Sequence, residues 1–159
     1  MTTPNPSLLT PTGTLSFMPV TRDEWESIFT LRRLAMHGHI GTLDQVDSER
    51  VRQSFFAGIQ NDQNRHILLD DKRIGFVSMR RVEQKLWLSQ LHLHPDFHDH
   101  GLGGIVLDQV CSEADAIGLP LHVATLKTSS ANRFYQRHGF VKIGEDKWDN
   151  YYQRPMPAN

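Results

Sequence analysis

Glycine and histidine crowd one short stretch of the sequence, HPDFHDHGLGGIVL, which runs from His94 to Leu107. Gly101, Gly103 and Gly104 in this stretch lead into an apolar segment with helical spacing. Glycine lets the backbone approach an anion closely, and the free N–H groups at the start of a helix bind anions well. The stretch therefore favours an anion-binding loop over an ordinary strand-to-helix turn.

The spacing of these glycines does not fit two common nucleotide-binding motifs. A dinucleotide fingerprint needs a glycine where Val106 stands, and an acidic residue at the end of the next strand, which HVATL does not supply. A P-loop needs Lys and then Ser or Thr after its last glycine, but Ile105 follows Gly104. The loop therefore has to bind its anion in another way.

Apolar periodicity and turn residues predict the elements around the loop. Strands are predicted in LSFMPVT, RHILLD, RIGFVSMRRV, KLWLSQLHL, PLHVATL, FVKIGE and WDNYYQRPM. Helices are predicted in WESIFTLRRLAM, after a capping box from Thr21 to Glu24, and in SERVRQSFFAGI, from Leu102 to the stop at Gly118, and in SSANRFYQRHG. Most consecutive strands are joined by short turns, so we expect hairpins and a largely antiparallel sheet.

Length and composition fit one domain. Residues 1–13 are rich in Thr, Pro, Ser and Asn, so we expect a flexible leader there and a single domain over residues 14–159. A net charge of -1 gives no basic surface for nucleic acid, and Cys111 is the only cysteine, which suits a reducing compartment. No export signal or membrane-spanning run is recognisable. We expect a cytoplasmic protein that binds neither nucleic acid nor membranes.

Two segments resemble a known family. HPDFHDHGLGG, together with SSANRFYQRHGF starting at Ser129, resembles the two cofactor-binding motifs of the GNAT superfamily of acyl-CoA-dependent N-acyltransferases. His98, Gly101 and Gly103 stand at the signature places of the family pattern Arg/Gln-x-x-Gly-x-Gly/Ala, with His98 replacing the usual Arg or Gln. Ser129 stands where the family often has Asn. The predicted element order over residues 14–156 is similar to that of the family.

The resemblance implies both the fold and the activity. It implies an α/β domain of the α+β type, with a mixed, mostly antiparallel central sheet flanked by about four helices. It implies an N-acetyltransferase that moves an acetyl group from acetyl-CoA, as co-substrate, to a primary amine by direct attack in a ternary complex. The acceptor would be a small-molecule or peptide amine, no metal is expected, and a homodimer is left open.

The resemblance also implies roles for individual residues. Tyr135 matches the family tyrosine that protonates the leaving thiolate, although a tyrosine that only packs on its helix would have the same spacing. Main-chain groups at Leu91 and Leu93 are expected to pair with the pantetheine arm, and the Leu93 N–H is the nearest candidate for the oxyanion donor. The full expected cofactor-binding set is Leu91, Leu93, His98, Asp99, His100, Gly101, Leu102, Gly103, Gly104, Ser129 and Asn132.

Amine acylation also needs a proton acceptor, because an ammonium group cannot attack a thioester. Alternation along KLWLSQLHL places Gln90 and His92 on one face of the strand. An imidazole with an ordinary pKa of about 6.5 suits a base at neutral pH. We expect His92 as the base, with Gln90 positioning a water. A histidine that only bonds within the sheet, a water chain as acceptor, and a contribution from His122 are the alternatives.

Two other functions compete with the enzyme. The first is a metal-binding protein built on His92, His94, His98 and His100, because His-x-His on a strand places two imidazoles on one face. The second is a domain that binds acyl-CoA without transferring it. The acceptor itself is not specified by the sequence; acidic residues that could attract a cationic amine, or simply be solvated, are Asp44, Asp47, Glu49, Asp146 and Asp149.

Overall fold

The structure, a computed structural model, describes residues 6–36 and 48–155. The α-helices in these residues are α1 (Trp25–Ala35), α2 (Ser48–Ile59), α3 (Leu102–Ile117) and α4 (Ala131–Arg137). The strands are β1 (Leu8–Thr10), β2 (Gly13–Pro19), β3 (Gln63–Leu69), β4 (Lys72–Val82), β5 (Lys85–Leu93), β6 (Leu121–Leu126), β7 (Val141–Glu145) and β8 (Asp149–Arg154). Short 3-10 helices at Arg22–Glu24 and Pro95–Phe97 precede α1 and α3.

The strands hydrogen-bond in the order β1-β2-β3-β4-β5-β6-β8-β7. Strand β5 is parallel to β6, whereas β1 with β2, β2 with β3, β6 with β8 and β7 with β8 are antiparallel. The predicted α/β fold with a mixed, mostly antiparallel sheet and flanking helices is therefore confirmed. The chain divides into two compact units, Met1–Ser78 with Gln90–Gly103 and Met79–Ser89 with Gly104–Asn159.

The first unit is built on an aromatic core between α1, α2 and the sheet. The capping box predicted before α1 is present, since the Thr21 N–H donates to Glu24 Oε1 over 3.0 Å. Apolar residues at helical spacing on both helices then face the same side and pack against β4. The buried members of this core are Ile28, Phe29, Phe55, Ile59 and Phe76. The core holds β4 in place, and β4 supports the end of β5.

The second unit packs α3 and α4 on strands β6 and β8. Val106, Val110 and Ala114 recur at helical spacing on α3 and are completely buried. Leu88 pairs with Val123 in the β5–β6 register, and Val123 pairs with Tyr152 in the β6–β8 register. All three side chains are buried, so they form one apolar row across the strands.

The start of the chain differs from the expectation. Residues 1–13 are predicted as a flexible leader, but Leu8–Thr10 forms β1, which pairs with β2. The Thr10 hydroxyl donates to the Gly13 carbonyl over 2.6 Å, and Gly13 has a φ of +151° that suits glycine. A tight turn between two short strands thus orders a polar segment that composition alone assigns to a leader. Residues 1–5 lie outside the described residues.

Candidate active site

The loop after β5 turns sharply before α3 begins. Pro95–Phe97 makes one 3-10 turn, and Asp99 and Gly101 then adopt left-handed backbone angles, with φ of +64° and +74°. Aspartate tolerates this region better than most residues, and glycine enters it freely. A Cβ atom on Gly101 would meet no heavy atom within 4 Å. The backbone angle, rather than a lack of space, therefore requires glycine here.

Backbone N–H groups of this loop are available to a ligand. Within residues 6–36 and 48–155, no acceptor pairs with the N–H of Asp99, His100 or Gly101. Helix α3 starts at Leu102, and the first N–H groups of a helix have no partner inside it. The helix dipole adds partial positive charge at this end, which the Asp99 carboxylate partly opposes. The loop has the donors that the sequence predicts for an anion site.

Gly104 has a packing role that its place in the motif does not reveal. A Cβ atom there would lie 3.0 Å from His138 Nε2, just after α4. The His138 ring is itself fixed, with Nδ1 2.8 Å from the Phe134 carbonyl oxygen. Gly104 therefore lets α3 approach the end of α4. No sequence signal links these two positions, and a part for Gly104 in cofactor binding stays a prediction.

The two edges of β5 alternate along its last residues. The His94 N–H donates to the Ile74 carbonyl on β4 over 2.7 Å, and the His92 carbonyl faces Gly75 on β4 so closely that a Cβ on Gly75 would collide with it. His92 and His94 therefore direct their main-chain groups toward β4. Because N–H and C=O of one strand residue point to the same side, those of Leu91 and Leu93 point to the opposite edge. The family resemblance predicts that the pantetheine arm pairs along this edge.

The side chain of His98 folds back onto the end of β5. Its Nε2 lies 2.8 Å from the Leu93 carbonyl oxygen. A carbonyl oxygen only accepts, so Nε2–H is the donor and carries the proton. The ring is otherwise exposed. The sequence places His98 in the loop motif but gives no sign of this contact.

Gln90 and His92 do lie on one face of β5, as predicted. The His92 Nε2 is 2.8 Å from Gln90 Oε1, an acceptor, so the lone pair of the neutral ring is at Nδ1. The ring also contacts Phe76, with centroids 5.4 Å apart.

The pKa of His92 differs from the expectation. Burial, and then the charges of Arg32 and His98, lower its pKa to about 3. This lowered pKa differs from the ordinary imidazole pKa expected from the sequence, because burial by the fold is not visible in the sequence, and the role of His92 as the base stays a prediction. A ring with this pKa is neutral at physiological pH and is a weak base.

Tyr135 lies on α4 within an aromatic cluster and is 7% exposed. Its ring contacts Phe134, Phe140 and Tyr152, with centroids 5.2, 5.4 and 6.5 Å away. Burial raises the pKa of Tyr135 above its ordinary value, so the hydroxyl keeps its proton at neutral pH. In the part of the chain that the structure describes, no group hydrogen-bonds to this hydroxyl. The side chain can therefore both pack and donate a proton.

Asn132 uses its side chain to hold the start of α4. Its Nδ2 donates to the carbonyls of Leu126 and Ser129 over 2.9 and 2.7 Å. Its Oδ1 accepts from Asn150 Nδ2 at 2.9 Å and from the Tyr152 hydroxyl at 2.7 Å. These bonds fix the strand-to-helix turn.

Ser129 also contributes to this turn. Its Oγ accepts from the Ala131 N–H over 3.0 Å, so the hydroxyl, like the Asn132 amide, already has a protein partner. A cofactor-binding role for Ser129 and Asn132 stays a prediction.

His122 is a buried imidazole on β6, 3% exposed. It stacks on Trp87 with ring centroids 5.1 Å apart, and neither ring nitrogen has a hydrogen-bond partner in the described residues. Burial, and then the charge of Lys85, lower the pKa of His122. The burial of this ring indicates a structural position.

The acidic residues of the expected acceptor region differ in their surroundings. The Tyr151 hydroxyl donates to Asp146, and this bond with two backbone N–H bonds lowers the pKa of Asp146. Burial raises the pKa of Asp149. Glu49 is exposed and lies 3.3 Å from Arg52. Asp44 and Asp47 lie outside the described residues.

The histidines of the metal alternative do not form a ligand set. His92 bonds to Gln90, His98 to Leu93, and His94 Nδ1 accepts from the Asp96 N–H over 3.1 Å. Over residues 6–36 and 48–155, no group of three or more His, Cys, Asp or Glu side chains is placed to hold a metal ion. The same residues include no helix long and apolar enough to cross a membrane.

Comparisons with solved structures identify the fold. The chain is 14% identical to the PaiA N-acetyltransferase of Thermoplasma acidophilum in complex with coenzyme A, with 88% of this chain and 98% of that chain covered and a TM-score of 0.70. It is 14% identical to the ribosomal-protein-S18-alanine N-acetyltransferase of Escherichia coli, with 91% and 96% covered and a TM-score of 0.69. It is 22% identical to an acetyltransferase of Thermus thermophilus, with 89% of this chain and 97% of that chain covered and a TM-score of 0.64.

Sequence comparison gives the family. Among curated proteins, no sequence matches the chain significantly. The model of the acetyltransferase (GNAT) domain matches residues 62–142, a little over half of the chain. The match runs from β3 through the anion loop, α3 and α4 into β7. The chain therefore belongs to the GNAT family of acetyltransferases.

Proposed function

We propose that this protein transfers an acetyl group from acetyl-CoA to a primary amine, by direct attack within a ternary complex. The observation that carries the proposal is the loop of Asp99, His100 and Gly101, whose unpaired N–H groups precede the N-terminus of α3. A pyrophosphate is the anion that such a loop suits in this family. The acceptor is a small-molecule or peptide amine in the cytoplasm.

The residues present fit acetyl-CoA as the donor substrate. Backbone N–H groups from Asp99 to Gly104 hold the pyrophosphate, and Gly103 keeps side-chain atoms out of its approach. The outer edge of β5 offers the main-chain groups of Leu91 and Leu93 to the amides of the pantetheine arm. Support for this comes from the alternation at His92 and His94, whose main-chain groups already face β4.

Acetyl-CoA supplies a thioester whose carbonyl carbon is attacked by the neutral amine. The Leu93 N–H stabilises the negative charge that develops on the carbonyl oxygen. The C–S bond then breaks, and Tyr135 donates its hydroxyl proton to the departing thiolate sulfur. Water accepts the proton that the attacking nitrogen loses as the amide forms, and water returns a proton to the tyrosinate. The hydroxyl of Tyr135 is protonated at neutral pH before the reaction begins, and burial, which raises its pKa, makes it a weaker acid than an exposed tyrosine.

The amine loses its proton to water rather than to His92. A ring with a pKa of about 3 does not store a proton at neutral pH. Gln90 and His92 instead orient the amine or its water, with His92 Nδ1 as a neutral acceptor. This assignment keeps the predicted pair at the site and changes the function of its imidazole.

No covalent enzyme intermediate is needed. Cys111 is buried on α3, and burial raises the pKa of its thiol to about 11. The thiolate, which is the nucleophilic form, is therefore scarce at neutral pH. Direct transfer agrees with this environment.

Thermal unfolding with acetyl-CoA, followed by a thiol-release assay with a panel of primary amines, tests the proposal. At 100 times its dissociation constant, a ligand that binds only the native state adds about 2.7 kcal/mol to the free energy of unfolding. Gly103→Val should remove this stabilisation while leaving the circular dichroism unchanged. A protein that acetyl-CoA does not stabilise, or that releases no thiol with any amine, is not the proposed enzyme.

A further inference from the structure

The contact between His98 and Leu93 lies at the place where the donor substrate has to bind. We propose that His98 is a displaceable cap on the Leu93 carbonyl, which competes with a pantetheine amide for that oxygen and so limits the affinity for coenzyme A. The proposal rests on the function proposed above. In this proposal His98 is a positioning residue. Its side chain opposes the binding of coenzyme A, whereas the backbone of its loop favours that binding.

The direction of the Leu93 carbonyl follows from the peptide bond that it shares with His94. This bond is trans, so its C=O and N–H point in opposite directions. The His94 N–H donates to Ile74 on β4 over 2.7 Å. The Leu93 carbonyl must therefore point away from β4, to the outer edge of β5.

An incoming amide that extends the sheet at this edge needs strand acceptors. Leu93 offers one such acceptor, and His98 Nε2 holds it at 2.8 Å. A carbonyl oxygen has two lone pairs, and the cap requires that the bulky imidazole ring and a strand-pairing amide do not fit side by side on them. The pantetheine amide and the His98 imidazole are therefore alternatives at this oxygen.

The imidazole is free to leave. His98 is exposed, and its only side-chain hydrogen bond within the described residues is the one to Leu93. Its backbone is held separately, because its N–H donates to the Pro95 carbonyl over 3.1 Å. Rotation of the side chain therefore frees the Leu93 carbonyl without rebuilding the loop.

The competition costs affinity. A neutral hydrogen bond of this kind has a modest net strength, which corresponds to roughly three- to tenfold in a dissociation constant. Only ligands that carry the pantetheine arm experience this cost. A ligand made of the adenosine 3′-phosphate and the diphosphate alone reaches the anion loop but not the edge of β5.

Calorimetric titration of the wild type, His98→Ala and His98→Gln with coenzyme A and with 3′-phosphoadenosine 5′-diphosphate tests the proposal. We expect His98→Ala to bind coenzyme A roughly three- to tenfold more tightly and the diphosphate with unchanged affinity. His98→Gln retains an N–H donor, so it should return toward the wild-type value. Equal or weaker binding of coenzyme A by a folded His98→Ala overturns the cap.

The wild-type protein provides a second measurement that does not depend on a variant's folding. The Nε2–H resonance of His98, bonded to a carbonyl, should change its chemical shift when coenzyme A saturates the protein. When the diphosphate saturates the protein, the resonance should keep the shift of a carbonyl-bonded N–H, apart from a small change caused by the anion at the neighbouring Asp99. A resonance that ignores coenzyme A at saturation overturns the cap, whereas a wild type that binds neither ligand overturns the proposed function itself.

Discussion

The His92 imidazole donates to the Gln90 amide oxygen over 2.8 Å, on the face of β5 that sequence alternation assigns to both residues. This bond fixes the protonated nitrogen at Nε2 and leaves Nδ1 as the acceptor. With a pKa lowered to about 3, the ring is neutral at neutral pH. The pair is therefore suited to orienting a substrate and not to storing its proton.

The pH dependence of the reaction should follow the amine. If water takes the proton, kcat/KM rises with pH through the pKa of the acceptor amine and moves when a less basic amine is used. His92→Gln should lower the rate while the rising limb stays at the same pH. Rates measured from pH 5 to 9 with two amines of different basicity check this. A limb near pH 6.5 that His92→Gln removes would restore the imidazole as the base.

Tyr135→Phe should separate catalysis from packing. The hydroxyl has no hydrogen-bond partner in the described residues, so phenylalanine keeps the aromatic contacts and the free energy of unfolding. Loss of the acid should lower kcat on the order of 10²–10⁴-fold, with little change in the KM for acetyl-CoA. Steady-state kinetics and urea unfolding of the same preparation test both parts. Unchanged kcat, with the chemical step rate-limiting, would assign the tyrosine to packing alone.

Asn132 and Tyr152 should be coupled in stability. Tyr152→Phe removes one hydrogen bond and should cost about 1 kcal/mol, whereas Asn132→Ala also leaves the buried Tyr152 hydroxyl unpaired and should cost about 1–3 kcal/mol more. The double variant should be less destabilised than the sum of the two. Urea unfolding of all four proteins measures the coupling. Additive effects would mean that the bond contributes little to holding α4.

His122→Phe should stabilise the protein most strongly in acid. The folded-state pKa of His122 lies below its unfolded value of about 6.5, so the unfolded chain binds more protons as pH falls below that value. As the pH falls below that value, protonation of this histidine lowers the free energy of unfolding of the wild type by at most about 1.4 kcal/mol per pH unit. Phenylalanine cannot bind a proton, so it removes this loss while it keeps an aromatic ring on Trp87.

Urea unfolding at pH 5 and pH 8 measures this effect, with His100→Phe as the control at an exposed histidine. The gain from His122→Phe should be larger at pH 5 than at pH 8, and the control should show no such difference. Equal gains at the two pH values would mean that protonation of His122 does not limit stability.

The sequence predicts most of the fold because its signals are local. The capping box of Thr21 and Glu24, the helical spacing from Leu102 and the turns between strands each act within a few residues, and the structure confirms them. The leader expected over residues 1–13 includes Leu8–Thr10, which the structure shows paired with β2 as β1. The Asp70 carboxylate accepts from the Thr14 N–H at the start of β2 over 2.9 Å. Composition alone does not show that Thr10 and Gly13 form a turn that pairs these two strands.

The candidate site, like the fold, is only partly predictable from the sequence. The anion loop is recognisable because glycine spacing and a following helix are sequence features. The pKa of His92, the contact of His98 with Leu93 and the approach of Gly104 to His138 all depend on side chains brought together by folding. The pattern of residue types does not determine which side chains are buried or which partners they contact.

Gly75 on β4 faces the His92 carbonyl with no room for a Cβ atom. Gly75 has no functional group, so its influence on the reaction is indirect. Alanine at this position would displace the backbone that carries His92 and the Leu93 N–H. In a saturation library at position 75, selection for activity should recover glycine alone. That result would look like the tolerance profile of a catalytic residue, although its origin is the spacing between two strands.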